Sequence, residues 1–261
     1  MTSPKITPIP AFTDNYFWLI EGNNECWIVD PGTAAPVTQA LAHRHRKLTG
    51  ILITHHHPDH IGGIPDLRTP GMPIIGPGHD PIELVNDPVF AGDHRQIAGH
   101  QFQILEVPGH TQNHIAYFAA PPNAPPLLFC GDTLFAAGCG RLFDGTPAQM
   151  HRSLTKLAAL PPETLVHCAH EYTLANLAFA HSVEPDNPKI AERTQWAKQQ
   201  RAQNRPTIPS TLALEKATNP FLRPHVPALQ KAAQTHDPTL PKNPTPQQTF
   251  TTLRQMKDQF R

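Results

Sequence analysis

The segment from Thr54 to His60 constrains this chain more than any other stretch of its sequence. It reads Thr-His-His-His-Pro-Asp-His and follows the apolar run at residues 50–53, which is typical of a buried strand. Four of its side chains are candidate metal ligands: His55, His57, Asp59 and His60. Imidazole and carboxylate groups suit zinc, iron or manganese. Four such groups so close in sequence cannot easily surround one ion, whereas alternate residues of a turn can face two neighbouring ions. The spacing therefore favours a metal site over a solvated histidine-rich turn.

Three more candidate ligands follow other predicted strands. They are His110 after residues 102–107, Asp132 after residues 127–130, and His170 after residues 165–168. Each alone is a weak signal, because a single histidine at a strand end is more often structural. In α/β sheets, however, functional residues concentrate where strands end. Their shared position predicts that they belong to the same site as the histidine-rich turn.

The pattern of apolar and turn residues predicts a mixed α/β fold. Strands are predicted at residues 16–20, 26–29, 50–54, 73–75, 102–107, 114–119, 127–130 and 165–168. Helices are predicted at residues 35–47, from 147 to before 161, from about 172, at 187–203 and at 245–260, with a proline-broken segment before the last one. The strand signals stop near residue 171. We therefore expect an α/β domain at 1–171 and a helical domain at 172–261.

Composition limits the partners of the chain. Its 261 residues carry 21 basic and 21 acidic side chains, so it lacks the positive charge of a non-specific nucleic-acid binder. No apolar run approaches the roughly 18 residues that a membrane helix needs, and residues 1–10 do not resemble a secretory signal. Its four cysteines lack metal-type CxxC spacing, which is typical of thiols in a reducing compartment. We expect a cytoplasmic monomer that contacts neither membrane nor nucleic acid.

The order of these motifs resembles the metallo-β-lactamase superfamily. The resemblance rests on Thr-His-x-His-x-Asp-His at residue 54, Gly-His-Thr at 109, Gly-Asp-Thr at 131 and the late histidine at 170. It implies a four-layer αβ/βα sandwich, here with a C-terminal helical domain, and a site for two divalent metal ions. It assigns the ligands as His55, His57 and His110 for one ion, Asp59, His60 and His170 for the other, and Asp132 as the bridge. Asp30 resembles the aspartate that orients the metal ligands in this superfamily.

Longer stretches resemble the glyoxalase II (hydroxyacylglutathione hydrolase) family. They lie at residues 12–16, 131–141, 170–173, 219–223 and 257–260, and so span nearly the whole chain. The resemblance implies hydrolysis of S-(2-hydroxyacyl)glutathione thioesters, which converts S-D-lactoylglutathione to glutathione and D-lactate in the second step of methylglyoxal detoxification. It makes residues 1–171 catalytic and 172–261 substrate-binding. The implied substrate contacts are Arg141, Phe143, Tyr172, Arg254 and Lys257. The chain departs from the family pattern at Asn113, usually glycine, and at Phe143, which is tyrosine in some relatives.

The chemistry of a thioester fits this site. Metal binding lowers the pKa of water from 15.7 to about 7, and two ions about 3.5–4 Å apart can hold the resulting hydroxide between them. The leaving thiolate derives from a thiol of pKa near 8.5 and needs no dedicated acid. The seven-ligand set is therefore predicted to be catalytic as well as metal-binding. Zinc is the expected metal, with iron or manganese also compatible with nitrogen and oxygen ligands.

Two alternatives stay open at the level of sequence. The first is another enzyme on the same scaffold, such as a sulfur dioxygenase, a lactonase or a nuclease. The helical segment and its pair of cations, Arg254 and Lys257, favour glutathione conjugates over lactones or RNA as substrates. The second is a non-catalytic metal-binding protein. It would need a closed set of ligands, whereas this pattern leaves room for a water molecule.

Overall fold

Most strands of the chain lie in two six-stranded sheets. The computed structural model describes residues 4–22, 24–80 and 82–260, and all elements named here lie within those ranges. In the first sheet β1, β2 and β3 are antiparallel, and β3 to β6 are parallel. Its strands are, in spatial order, β1 (Lys5–Ala11), β2 (Asn15–Glu21), β3 (Cys26–Val29), β4 (Gly50–Leu52), β5 (Ile74–Pro77) and β6 (Asp87–Val89).

The second sheet has the strand order β14-β13-β10-β9-β8-β7. The pairs β7–β8, β8–β9, β9–β10 and β13–β14 are antiparallel. Its strands are β7 (His94–Ile97), β8 (His100–Glu106), β9 (Ile115–Ala119), β10 (Leu127–Gly131), β13 (Leu165–Cys168) and β14 (Ser210–Thr211). A small hairpin follows β10 and consists of β11 (Leu134–Phe135) and β12 (Gly138–Cys139).

The eight predicted strands are confirmed to within about two residues at each end. The prediction missed six strands: β1, β6, β7, β11, β12 and β14. Of these, β1 contains Pro8 and Pro10. Proline lacks a backbone donor and is confined to strands whose N–H groups at those positions face away from a partner. Here β1 is the edge strand, and residues two apart point the same way. Both prolines therefore fit without breaking the ladder to β2.

Prolines also begin most of the helices. In the described chain, seven helices have proline in their first two positions, where its missing N–H costs no hydrogen bond. The predicted helices are confirmed, but the proline-broken segment also contains α7 and α8. The helices are α1 (Ala35–Arg44), α2 (Pro58–Ile61), α3 (Ile64–Leu67), α4 (Pro147–Ala158), α5 (Thr173–Val183), α6 (Pro188–Ala202), α7 (Leu212–Thr218), α8 (Pro227–His236) and α9 (Pro246–Gln259).

The chain divides into two compact units by its internal contacts. Unit 1 contains residues 1–106, 113–131 and 167–170, and unit 2 contains residues 107–112, 132–166 and 171–261. In unit 1, apolar side chains of the first sheet pack with α1; among them are Phe17, Leu19, Ile28, Val37, Leu41 and Ile51. In unit 2, α5 and α6 bury Leu177, Ala180, Ile190 and Ala197 together. The functional division at residue 171 stays a prediction.

A buried carboxylate organises unit 2. Glu215 of α7 is fully buried and accepts hydrogen bonds from Arg193 at 2.5 Å and Ser210 at 2.6 Å. It also accepts from the backbone N–H of Ala137 at 2.8 Å, and Ala137 has a left-handed φ of 55°. Asn219 donates to Glu215 and to two carbonyls of the β11–β12 hairpin. The hairpin that follows Asp132 is thus held by a hydrogen-bonded charge in the core.

We expect Glu215→Ala to lower the free energy of unfolding by about 3–5 kcal/mol, because it leaves the guanidinium of Arg193 buried without its carboxylate. Urea denaturation followed by circular dichroism measures this. Glu192→Ala is the control, since Glu192 pairs with Lys189 at 2.8 Å on the exposed side of α6; it should cost less than about 1 kcal/mol. Equal losses in the two variants would contradict the role given to Glu215.

Candidate metal centre

Three predicted ligands of unit 1 gather at the ends of β4 and β13. One ligand atom from each of Asp59, His60 and His170 lies within 4.8 Å of the other two. Asp59 and His60 belong to the first turn of α2, whose first residue is Pro58. His170 comes two residues after β13. The short helix α2, separated from β4 by five residues, therefore presents two candidate ligands from consecutive positions.

Close backbone packing holds this turn in place. A Cβ atom on Gly32 would lie 1.9 Å from the carbonyl oxygen of Asp59, so only glycine allows the loop after β3 to approach this closely. On the other side of the turn, the backbone N–H of Gly63 donates to the carbonyl of Pro31 at 2.8 Å. The loop after β3 and the ligand turn after β4 thus form one packed layer.

The hydrogen bonds of His170 determine which of its nitrogens faces the site. Its Nδ1 lies 2.8 Å from Oδ1 of Asp14, and because a carboxylate only accepts, Nδ1 is the donor. A neutral His170 then carries a lone pair on Nε2, which lies 3.5 Å from Oδ2 of Asp59. Two acceptors that face each other repel. A cation between them removes this repulsion.

Asp30 lies behind His60 on the side away from Asp59. Oδ2 of Asp30 lies 3.2 Å from Nδ1 of His60, and Nε2 of His60 lies 3.4 Å from Oδ2 of Asp59. Asp30 is itself buried, adopts a left-handed φ of 52°, and accepts from the backbone N–H and hydroxyl of Thr54 at 2.8 and 2.7 Å. Two ligands about 2.0–2.2 Å from a tetrahedral ion lie roughly 3.3–3.6 Å apart. The separations around Asp59 fit that spacing.

A relay through Thr54 also orients His55. The Thr54 hydroxyl donates its only proton to Asp30, so it accepts from Nδ1 of His55 at 3.1 Å. A neutral His55 therefore presents the lone pair of Nε2, which lies 3.1 Å from Nδ1 of His57. His56, between them, pairs with Asp80 at 2.7 Å. His55 and His57 thus approach each other, while His56 between them turns to Asp80.

Unit 2 contains two further predicted ligands next to each other. Nδ1 of His110 donates to the carbonyl oxygen of Arg141 at 2.7 Å, and Nε2 lies 3.4 Å from Oδ2 of Asp132. Both side chains are buried. A Cβ atom on Gly140 would lie 1.9 Å from the carbonyl oxygen of Asp132, so the segments on either side of the β11–β12 hairpin are in close contact. Again an imidazole lone pair faces a carboxylate oxygen.

Exposed side chains of unit 2 lie beside these two ligands. The ring of Phe143 is 64% exposed and meets the ring of His110 edge-to-face at 5.1 Å. The side chain of Arg141 is also 64% exposed and has its Nε 3.6 Å from Asp258. Tyr172 precedes α5, is 37% exposed, and packs edge-to-face on Phe135. These positions leave aromatic and cationic groups accessible to a ligand.

Arg254 and Lys257 of α9 differ in accessibility. Arg254 is 6% exposed, donates to the carbonyl oxygen of Cys139 at 3.0 Å and to Asp258 at 2.9 Å, and covers the ring of Phe221. Lys257 donates to the carbonyl oxygen of Ala175 at 3.2 Å. Burial, and then the nearby charge of Arg254, lower the pKa of the Lys257 ammonium group from its ordinary value. Arg254 thus supports the backbone of the hairpin, and Lys257 is the more accessible cation.

Several of these contacts were not predicted from the sequence. The roles of Thr54 and Asp80, and the bonds from Asp14 to His170 and from Asn15 to Asp59 at 3.0 Å, have no local signal. Their partners lie up to 156 residues away along the chain. Residues 12–16 do belong to a stretch that resembles glyoxalase II, but the resemblance assigned them no contact. Asn113, which departs from the family pattern, donates to the carbonyl of His79 at 3.1 Å.

The donor set fits a transition-metal ion. It consists of imidazole nitrogens and carboxylate oxygens, without thiolate, and these are suitable ligands for zinc, iron and manganese. In the His110–Asp132 and His170–Asp59 pairs, a nitrogen lone pair faces a carboxylate oxygen at 3.4 and 3.5 Å, beyond ordinary hydrogen-bond length. In both histidines the nitrogen on the other side of the ring donates a hydrogen bond to the protein. This arrangement, in which outer groups fix the tautomer of each histidine, is the usual one for histidine ligands of metals.

Comparisons with known proteins identify the family. Residues 12–170 match the model of the metallo-beta-lactamase superfamily, and residues 171–260 match that of the hydroxyacylglutathione hydrolase C-terminus. The hydroxyacylglutathione hydrolase of Pseudomonas aeruginosa (strain LESB58) is 49% identical over 98% of this chain and 99% of its own length. The chain belongs to the hydroxyacylglutathione hydrolases. The predicted family is confirmed, and it is a family of hydrolases.

Solved structures confirm the predicted fold class. ETHE1 from Myxococcus xanthus matches with a TM-score of 0.63 at 23% identity and covers all of both chains. The protein TTHA1623, crystallised in a di-iron-bound form, matches with a TM-score of 0.58 at 25% identity over 82% of this chain and 99% of its own. The metallo-β-lactamase fold, with helices in the C-terminal region, is therefore established for this member of the family. No helix in the described ranges is long and apolar enough to cross a membrane.

We expect His57→Ala and Asp132→Ala to lower the amount of bound metal and to abolish turnover, because each removes a predicted ligand. Elemental analysis of the purified chains measures the metal content. His236→Ala, on an exposed histidine at the end of α8, is the matched control and should keep the wild-type content. Full metal content in both ligand variants would contradict the ligand set.

Proposed function

We propose that this chain hydrolyses S-(2-hydroxyacyl)glutathione thioesters, with S-D-lactoylglutathione as the reference substrate and glutathione and D-lactate as the products. The observation that carries the proposal is the 49% identity to a hydroxyacylglutathione hydrolase over 98% of the chain. The match includes the C-terminal segment as well as the superfamily fold. This coverage supports the glutathione thioester over a lactone, a nucleic acid or a persulfide as the substrate.

We propose further that two divalent metal ions are held by the seven predicted ligands: His55, His57, Asp59, His60, His110, Asp132 and His170. Support comes from the facing lone pairs within each unit and from the superfamily pattern. When bound, the ions supply Lewis acidity that makes water acidic enough to ionise near neutral pH and polarises a carbonyl oxygen. Zinc is the metal we propose, and the di-iron form of TTHA1623 makes iron the main alternative.

The protein side chains bind and orient the substrate. Glutathione carries two carboxylates and an ammonium group, so fixed cations and hydrogen-bond donors are needed to hold it. Arg141, Tyr172 and Lys257 are proposed to supply them, with the exposed ring of Phe143 as an apolar wall and Arg254 as the support of the hairpin backbone. These residues make 172–261, together with the hairpin region, the proposed substrate-binding part. The departing thiolate needs no acid from the protein.

We also propose a cellular compartment and an oligomeric state for the chain. All four cysteines are buried and form no disulfide, which suits a reducing compartment. We therefore propose a cytoplasmic location. The proposed oligomeric state is a monomer, and size-exclusion chromatography with light scattering tests this.

Release of thiol from S-D-lactoylglutathione, followed with a thiol-reactive dye, tests the function. We expect turnover that disappears when a chelator removes the metal and returns when Zn²⁺ or Fe²⁺ is added. A dioxygenase would instead consume oxygen, and a binding protein would take up metal without releasing thiol. Absence of metal-dependent thiol release from the metal-loaded chain would refute the proposal.

Lys257 is expected to give the reaction a specific pH dependence. Its ammonium group binds a substrate carboxylate only while it is protonated, and its pKa lies below the ordinary 10.5. KM should therefore be low at neutral pH and rise as the pH increases through that lowered pKa. Lys257→Ala should raise KM about ten- to hundred-fold at neutral pH, with a much smaller effect on kcat, since it removes one charged contact.

Steady-state kinetics from pH 6 to about 10, corrected for alkaline hydrolysis of the thioester, measure both effects. Lys257→Arg retains the charge to higher pH and should flatten the rise in KM. Lys198→Ala, on the exposed side of α6, is the control and should leave KM unchanged. A loss of kcat at unchanged KM in Lys257→Ala would contradict the assignment of Lys257 as a substrate-binding residue.

A further inference from the structure

The turn of the first hairpin reaches two metal-ligand candidates at once. The turn lies between β1 and β2, and β2 begins at Asn15. Oδ1 of Asp14 accepts from Nδ1 of His170 at 2.8 Å, and Nδ2 of Asn15 donates to Oδ2 of Asp59 at 3.0 Å. These partners are 156 and 44 residues away along the chain. Two consecutive side chains thus contact two candidate ligands that are far apart along the chain.

Backbone contacts fix this turn against the strand end that carries His170. The N–H of Tyr16 donates to the carbonyl of Ala169 at 2.7 Å, and Asn15 forms a β-bridge with His170. Phe12 adopts a left-handed φ of 49°, which is uncommon for a bulky residue and allows the tight turn. Asn15 is 6% exposed, and the side chain of Asp14 is 35% exposed. The turn is therefore held by backbone contacts in the position from which these two side chains reach His170 and Asp59.

The two contacts act on different properties of the ligands. Asp14 keeps the proton of His170 on Nδ1 and so leaves the lone pair on Nε2, which faces Asp59 at 3.5 Å. Asn15 donates to one lone pair of Oδ2 of Asp59 and thereby directs the other lone pair, on the oxygen that also lies 3.4 Å from Nε2 of His60. The first contact selects a tautomer, and the second fixes the direction of a carboxylate.

We propose that Asp14 and Asn15 are positioning residues that set the affinity of the Asp59, His60 and His170 group for its metal ion. The inference rests on the proposed metal site, but it concerns metal binding and not turnover. Partners that orient metal ligands in this way typically change metal affinity by about 10- to 100-fold. Because neither residue contacts His55 or His57, the effect falls on one of the two ions.

Titration of the chelator-treated chain with Co²⁺, followed by its visible absorption, tests the proposal. We expect wild type to bind two ions, and Asp14→Ala and Asn15→Ala to weaken one of them by about 10- to 100-fold while the other changes less than about three-fold. The absorption of the weakened ion should also change, since it reports ligand geometry. Thr13→Ala, an exposed residue of the same turn, should behave as wild type.

The thermal unfolding of the metal-free variants separates positioning from folding. A positioning role predicts melting temperatures close to that of metal-free Thr13→Ala. If the buried Asn15→Ala variant does not fold, the partly exposed Asp14→Ala carries the test alone. Wild-type Co²⁺ binding by Asp14→Ala, or equal weakening of both ions, overturns the proposal. Since no substrate is used, a chain that binds Co²⁺ as expected but cleaves no thioester refutes the proposed function without affecting this inference.

Discussion

The site depends on one constraint, that an imidazole whose rear nitrogen donates a hydrogen bond presents a lone pair at the front. Asp14, Thr54 and the carbonyl of Arg141 accept from the rear nitrogens of His170, His55 and His110. The front nitrogens of His170 and His110 then face carboxylate oxygens at 3.5 and 3.4 Å. In a buried environment such facing acceptors are unfavourable without a cation. These hydrogen bonds therefore fix the tautomers of the two histidines before any ion arrives, which would reduce the reorganisation that metal binding at the proposed site requires.

In unit 1, the residues that orient the histidines lie in loops at the ends of strands, where the backbone is irregular. Asp30, which lies behind His60, and Phe12, which begins the turn that contains Asp14, both have left-handed φ values. Such conformations cost about 1–3 kcal/mol for residues other than glycine and persist only where the surrounding structure holds them. The sheets supply that support, because β2, β3 and β4 are almost completely buried and fix the positions from which the loops depart. Local strain near the ligands is thus offset by burial elsewhere in unit 1.

In unit 2, buried charged side chains hold the backbone next to the candidate ligands. Glu215 accepts four hydrogen bonds in the core, and Arg254 donates to the backbone of Cys139 from the opposite end of the sequence. Both hold the hairpin that separates Asp132 from Arg141. Arg254 was predicted as a substrate contact, and its burial favours a supporting role, while Lys257 retains the accessibility that a substrate contact needs.

The sequence by itself determined the family, the fold class, most strands and helices, and the residue types of the candidate metal centre. It could do so because ligand chemistry and strand burial are encoded locally, as in residues 50–60, and because long stretches resemble a known family. It missed six strands, among them β1, since proline is compatible with a strand only at an edge and edges are defined by neighbours. Only the tertiary structure decided which histidine nitrogen faces the site, because the tautomer depends on Asp14, Thr54 and a carbonyl that are remote in sequence from most of their partners. Hydrogen-bond direction is a property of atoms in space, and no pattern along the chain specifies it.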